Sequence, residues 1–421
     1  MKFTCAWVIG FAFIATGAAS AAALDAPQKL HHVRTAEPHQ TETHRTVRHT
    51  AASRSAARSR AVVHRTAART SVRTSARVRR ASFAGRHYER ITAPSIIPGG
   101  AGADDVTTGE DPVIRQAAID ALGDLNGTAV VIDPSNGRIL AMVNQKLALS
   151  PGAEPCSTIK ITVAMAALSE GLVTSDTMVK LDGFRMNMTQ ALAHSNNLYF
   201  EELGRELGFE RVRHYATEFG LGELAGYNIP GEQLGVYPDQ AIPASEGGVG
   251  RMCSFGQGVS LTPLQLGAYA AAIANGGTLY YLQHPTTPEE IADFQPRIKR
   301  TLDIARYIPE LQDGMAGAVE YGTARSLRAS FRDFPVFGKT GTCSNDGAHL
   351  GWFASYSDSP RGPLVTVFLL EGARGFSGPR AAELTGVFYK ELADRDYFGN
   401  RNQEARSDTD GSAPASLGAA Q

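Results

Sequence analysis

Residues 129–144 read Ala-Val-Val-Ile-Asp-Pro-Ser-Asn-Gly-Arg-Ile-Leu-Ala-Met-Val-Asn. Two apolar runs, Ala129 to Asp133 and Ile139 to Asn144, flank Pro134-Ser135-Asn136-Gly137. Proline pre-sets φ, and Asn and Gly accept positive φ, so the stretch is expected to be a strand, a turn and a strand. Strand-like runs return only late, at Val336 to Thr342, Gly351 to Tyr356 and Leu364 to Leu370, followed by an expected helix near Arg380 to Ala393. Between them, from Ser157 to about Asn275, apolar residues recur at helical spacing with Gly punctuation, as in Ile161 to Leu168 and Pro263 to Ala274. Strands at both ends of a helical middle predict an α+β fold, an antiparallel sheet covered by helices.

Pro94 to Gly102 is rich in Pro and Gly and makes a natural boundary, so the folded domain is expected over residues 104–396. From Leu30 to Arg90 the chain repeats Arg, Ala, Ser, Thr and His with almost no large apolar side chain. Such a segment cannot bury enough surface to offset the entropy of folding, and residues 24–103 read as a disordered basic linker. Residues 28–92 hold fifteen Lys or Arg against Glu37, Glu42 and Glu89, a net of +12 before seven histidines. With Lys2 and Asp25 cancelling, the whole-chain charge of −1 leaves −13 on residues 93–421. The linker is expected either to be drawn to anionic envelope polymers or lipid head groups or to act as a solvated spacer. No nucleic-acid partner is expected. The paired His31 and His32 lack Cys or carboxylate partners and read as solvated, so no metal or cofactor is expected.

The chain opens with Lys2, an apolar run from Cys5 to Ile14 and the small-residue stretch Ala19-Ser20-Ala21-Ala22-Ala23, the order of a secretory signal. Its apolar core of ten residues falls short of the roughly twenty needed to span hydrocarbon. Residues 1–23 are therefore expected to be a cleaved signal, with an uncleaved membrane anchor as the alternative. Export to the periplasm or the outer face of the cytoplasmic membrane follows. Residues 397–421 turn small and polar and are expected to be disordered.

Three short motifs stand in order: Ser157-Thr158-Ile159-Lys160, Ser195-Asn196-Asn197 and Lys339-Thr340-Gly341-Thr342. The first alone arises on the order of once by chance in a chain of this length. The ordered trio is far more specific. Pro155 precedes the helical run that holds Ser157, so the serine is expected at a helix N-terminus, where free N–H groups favour an oxyanion. Lys160 follows one turn later, and Ile161, Val163, Ala164, Met165 and Leu168 would bury its stem. A lysine serves as a base only when its surroundings favour the neutral amine, which apolar packing does. Gly338-Lys339-Thr340 also looks like the end of a phosphate-binding loop, but that motif needs Gly where this chain has Asp333.

On these motifs, residues 126–392 resemble the penicillin-binding protein transpeptidase domain. The flanks Ala129-Val130-Val131-Ile132-Asp133-Pro134, Phe255-Gly256-Gln257-Gly258, Thr262-Pro263-Leu264-Gln265, Gly322-Thr323-Ala324 and Trp352-Phe353-Ala354 are similar to that family as well. The resemblance implies a five-stranded antiparallel sheet flanked by helices plus an all-helical subdomain, with the active site between them. It implies that Ser157 attacks the penultimate D-Ala carbonyl of a peptidoglycan stem peptide, expels the terminal D-Ala and forms an acyl-enzyme. Lys160 would take the serine proton, Ser195 would relay a proton to the leaving amine, and Asn197 would bind the substrate amide and help hold Lys160. Lys339, Thr340 and Thr342, with Gly341 between them, would form the carboxylate-binding strand. The backbone N–H groups of Ser157 and Thr342 would form the oxyanion hole. An amine of a neighbouring stem would resolve the acyl-enzyme. β-Lactams are expected inhibitors, and a glycan polymerase is an expected partner.

If the strand carrying Lys339 flanks the serine, as that oxyanion hole requires, Cys156 and Cys343 lie side by side. An exported context permits a disulfide between them, which resembles one in carbapenem-hydrolysing class A β-lactamases. The alternative is three reduced thiols packed as small hydrophobes; in the disulfide case Cys253 stays unpaired. Three rival functions share these residues: a serine β-lactamase, a D,D-carboxypeptidase using water as acceptor, and a non-enzymatic receptor or scaffold that binds peptidoglycan or β-lactam.

Overall fold

The computed structural model describes residues 93–100, 102–345 and 347–399. The expected signal, most of the basic linker and most of the tail lie outside the described residues. In chain order the elements are α1 (Pro112–Leu122), β1 (Gly127–Asp133), β2 (Arg138–Val143) and α2 (Gln145–Ala148). A 3₁₀ turn (Cys156–Ile159) then runs into α3 (Lys160–Ser169). There follow β3 (Val179–Lys180), β4 (Arg185–Met186), α4 (Met188–Ala193), α5 (Asn197–Glu218), α6 (Gly248–Phe255) and α7 (Pro263–Ala274). The chain continues through β5 (Thr278–Tyr280), α8 (Pro288–Ala292), β6 (Ile298–Thr301) and α9 (Ile308–Glu320). It closes with β7 (Val336–Asn345), β8 (Ala348–Ser357), β9 (Val365–Gly372) and α10 (Gly378–Asp394).

Five strands form one antiparallel sheet in the order β2-β1-β9-β8-β7, so the strand carrying Lys339 is an edge. The hairpin at 129–144 pairs Ala129 with Val143 and Asp133 with Arg138. Its turn is held by Asp133 Oδ1, which accepts from the Ser135 N–H at 2.9 Å, and by Gly137, whose φ of 78° suits a residue without Cβ. The middle of the chain is mainly helical, and it adds two ribbons, β3 with β4 and β5 with β6.

Side chains alternate across the strands and so feed two cores. Ala129 and Val131 of β1 and Phe353 of β8 pack with Phe388 and Leu392 of α10 and with α1. Val130 and Ile132 face the helical side, where α3, α5 and α7 lie. α10 earns its place by an apolar stripe at Ala381, Leu384, Phe388 and Leu392, all buried.

The segment that leads into the domain is stitched to the sheet. The Asn126 N–H donates to the Ser95 carbonyl at 2.9 Å, and Ser95 Oγ accepts from the Ala373 N–H at 2.8 Å. Further in, the Arg115 guanidinium of α1 donates to Asp105 and Glu110 at 2.8 Å each, and Glu110 meets His284 at 3.0 Å. All four side chains are nearly out of water, which a charged group tolerates only when so partnered. Among the described residues no helix is long and apolar enough to cross a membrane.

Candidate active site

Ser157 lies in the 3₁₀ turn just ahead of α3, not in the α-helix itself. The tighter winding matters, because at three residues per turn positions i and i+3 eclipse. Lys160 Nζ therefore lies 2.8 Å from Ser157 Oγ. Ser157 is half-buried, whereas Lys160 is 0% exposed, its stem enclosed by an α3 whose next eight residues are all buried.

The second motif explains itself locally. Asn196 caps α5, its side chain accepting from the Tyr199 N–H at 2.9 Å, which sets Asn197 on the first turn and leaves Ser195 just outside it. Lys160 Nζ then has Asn197 Oδ1 at 2.6 Å, the Ser195 carbonyl at 3.1 Å and Ser195 Oγ at 3.1 Å. A neutral amine has two N–H bonds and one lone pair. Asn197 Oδ1 and the Ser195 carbonyl can only accept, so they take the two N–H bonds and leave the lone pair for a hydroxyl proton from Ser157. Burial, and then the charge of Lys339, hold the Lys160 ammonium down to about 6, with Glu201 opposing.

β7 brings the third motif alongside. Lys339 Nζ donates to Ser195 Oγ at 2.8 Å and to the Thr340 carbonyl at 3.0 Å, and burial lowers its pKa to about 7. Ser195 Oγ thus sits between two buried lysines. Thr340 Oγ1 is 2.7 Å from Thr323 Oγ1, and Thr342 Oγ1 accepts from the Gly378 N–H at 2.8 Å, where α10 begins. Gly341 lies against the turn that holds Ser157: a Cβ there would stand 2.9 Å from the Pro155 carbonyl oxygen, 3.1 Å from Thr158 Cγ2 and 3.2 Å from Trp352 Cβ. Gly341→Ala is expected to push β7 off that turn, costing about 1–3 kcal/mol of stability and about tenfold in β-lactam acylation rate. Thermal melts and stopped-flow acylation check the two effects separately.

Cys156 and Cys343 are joined, tying the residue before Ser157 to β7, and Cys253 is a free, buried thiol. The described residues with positive φ other than glycine are Asn144, Cys156, Ser195, Asn228 and Asp396. Asn and Asp accept that region readily, whereas Cys156 and Ser195 do so at a cost; Cys156 directly precedes Ser157, and Ser195 meets Lys160.

Some residues that shape the site carry no spacing signal of their own. A Cβ on Gly256, the αL residue that ends α6, would come within 2.6 Å of Pro155. Gly322 packs so closely that a Cβ would lie 2.1 Å from the Ala193 carbonyl oxygen, to which the Thr323 N–H donates at 3.1 Å. Gly322-Thr323 thereby bridges the Ser195 loop to Thr340. The Trp352 indole N–H donates to the Glu154 carbonyl at 3.0 Å, bracing the turn from β8. These contacts rest on glycine backbone, carbonyl oxygens, the Pro155 ring and the Trp352 indole, and only the family-like flanks Phe255 to Gly258, Gly322 to Ala324 and Trp352 to Ala354 point to them.

Stage V sporulation protein D of Bacillus subtilis (strain 168) is 28% identical over 316 residues, covering 62% of this chain and 48% of that protein. Peptidoglycan D,D-transpeptidase FtsI of Escherichia coli (strain K12) is 24% identical, covering 58% and 46%. The chain spans about half the length of the curated relatives it matches. In fold it is similar to Pseudomonas aeruginosa PBP2, solved in complex with WCK 5153, at a TM-score of 0.59 and 22% identity over 70% of this chain and 75% of that one. A peptidoglycan glycosyltransferase from Burkholderia ambifaria gives a TM-score of 0.59 at 20% identity, covering 69% and 98%. The family described as the penicillin binding protein transpeptidase domain matches residues 127–390, which take in all three motifs and every strand of the main sheet, and the chain belongs to that family.

Proposed function

We propose that this chain is an exported serine D,D-transpeptidase that crosslinks peptidoglycan stem peptides. The observation that carries the reading is the Ser157 hydroxyl 2.8 Å from a dry Lys160 amine whose N–H bonds are engaged elsewhere. Lys160 takes the Ser157 proton as Oγ attacks the penultimate D-Ala carbonyl carbon. The tetrahedral oxyanion is held by the N–H groups of Ser157, in the first turn, and Thr342, on the edge strand. The C–N bond to the terminal D-Ala breaks, and Ser195 passes a proton to the departing amine. Lys339, with Thr340 and Thr342, holds that residue's carboxylate. The amine of a second stem attacks the acyl-enzyme and Ser157 leaves with its proton restored. β-Lactams acylate the same oxygen, a separate polymerase supplies the glycan, and the basic linker favours anionic envelope polymers or lipids.

Intact-protein mass spectrometry after incubation with benzylpenicillin tests the reading. One lasting adduct per chain, mapping to the peptide that holds Ser157, is expected. Rapid hydrolysis without an adduct would make the protein a β-lactamase, and neither adduct nor hydrolysis would make it a binding module. A depsipeptide donor assayed with and without an acceptor amine separates transpeptidase from carboxypeptidase.

The two lysines set the pH profile. Acylation needs Lys160 neutral, so its rate is expected to rise about tenfold per pH unit below a midpoint near 6. Lys339 acts as a cation, so the rate is expected to fall above a midpoint near 7. Stopped-flow acylation between pH 4.5 and 9 reads both limbs, and a rate still rising above pH 8 would contradict the assignment of the two roles.

A further inference from the structure

The Thr323 hydroxyl that meets Thr340 also lines a 450 Å³ cleft, together with His194, Tyr321, Arg325, Ser326 and Pro379. The cleft therefore adjoins the Ser195 loop at His194, Thr323, which meets β7 at Thr340, and the start of α10 at Pro379. No carboxylate lines it. Arg325 is exposed, and among the described residues its guanidinium has neither an ion pair nor a side-chain hydrogen bond. Of its neighbours, Arg328 is paired with Glu320 and Arg380 with Glu383, each at 2.6 Å, while Arg332 donates to the Arg328 carbonyl at 2.8 Å. A second groove of 800 Å³ shares Arg325 and Ser326 and runs on past Arg332 and Phe334, with Asp333 and the already paired Glu320 on its walls. Arg325 thus lines this cleft as a cation without a carboxylate partner, in a region that carries −13.

We infer that Arg325 is a specificity-determining residue that binds a free carboxylate of the stem peptide lying in this cleft. This rests on the transpeptidase reading above. A guanidinium offers a planar pair of donors matched to a carboxylate, and such charge-assisted pairs are about twice as strong as neutral hydrogen bonds. The cleft supplies no internal partner, so that capacity is left for a ligand. Stem peptides carry such groups along their length, most simply the α-carboxylate of a γ-linked D-Glu.

The test compares wild type with Arg325→Gln on two peptide pairs. The donor pair is L-Ala-γ-D-Glu-L-Lys-D-Ala-D-lactate and its D-isoglutamine counterpart, read as kcat/KM for D-lactate release. The acceptor pair is L-Ala-γ-D-Glu-L-Lys-D-Ala and its D-isoglutamine counterpart, read as the fraction of acyl-enzyme captured by the amine. Arg325→Gln is expected to lower the value for one free-carboxylate peptide about 20-fold while its amidated counterpart changes less than twofold. The arm that responds identifies the strand in the cleft. Equal effects on free and amidated peptides in both arms, or no effect in either, would overturn the assignment. Benzylpenicillin acylation of the wild type keeps the two readings apart: a wild type that is not acylated sinks the transpeptidase reading, whereas one that is acylated and ignores amidation sinks only Arg325. A melting temperature within about 2 °C of wild type shows that the exposed substitution has left the fold intact.

Discussion

Lys160→Met is expected to lower the second-order rate constant of benzylpenicillin acylation by about 10³-fold, the scale of a removed general base. Met keeps the length and apolar character of the buried stem, so the loss is chemical rather than structural. What disappears is the lone pair left on Nζ once Asn197 Oδ1 and the Ser195 carbonyl have taken its hydrogens. Without it the Ser157 hydroxyl loses the amine that lies 2.8 Å from it. Two further readings bear on the cause. The residual rate should lose its rise near pH 6, because the group responsible for that limb is gone. Lys160→Arg should not rescue it, since a guanidinium keeps its proton at any working pH. Ser157→Ala serves as the zero of the scale. A Lys160→Met variant within tenfold of wild type would move the base to another residue.

The second large effect is on stability. Cys156 and Cys343 are 187 residues apart in sequence, so their bond closes a long loop in the unfolded chain. The chain-entropy model gives about 5 kcal/mol for such a loop, and measured disulfides typically reach about 2–4 kcal/mol. Cys156→Ser with Cys343→Ser is therefore expected to lower the melting temperature by about 10 °C. Reductant should give the wild type the same shift and leave the double variant unmoved. Because the pair also ties the nucleophile's turn to β7, acylation at 25 °C should fall by about tenfold even where the variant remains folded. An unchanged melting temperature would mean that the bond does not constrain the unfolded chain.

The sheet was legible in particular residues. Pro134 to Gly137 announces a turn, and the β-branched runs around it announce strands, since both signals act over a few positions. Ser157 and Lys160 were legible as a pair because three residues is one turn in either helical winding. The ribbons at 179–186 and 278–301 were not, because strands of two to four residues are too short to show a period. The part played by Thr323 was hidden for another reason: its partners, Ala193 and Thr340, lie on separate elements. Positive φ at Cys156 and Ser195 left no trace either, since neither residue type favours it. Arg115 sits on a helix face that otherwise buries alanine, isoleucine and leucine, and its two buried partners, Asp105 and Glu110, become visible only in three dimensions.

The way the chain joins the domain has a mechanical consequence. Tension arriving along the N-terminal segment is taken up first at Ser95, hydrogen-bonded to the ends of β1 and β9, and next at the ion pairs of Arg115 with Asp105 and Glu110. Both anchor points act on strands at the centre and far edge of the sheet, whereas Lys339 and the bond to Cys156 belong to β7 at the opposite edge. A pull applied at residue 93 thus enters the sheet through β1, β2 and β9. Lys339 and the bond to Cys156 lie on the opposite edge, away from where such a pull enters.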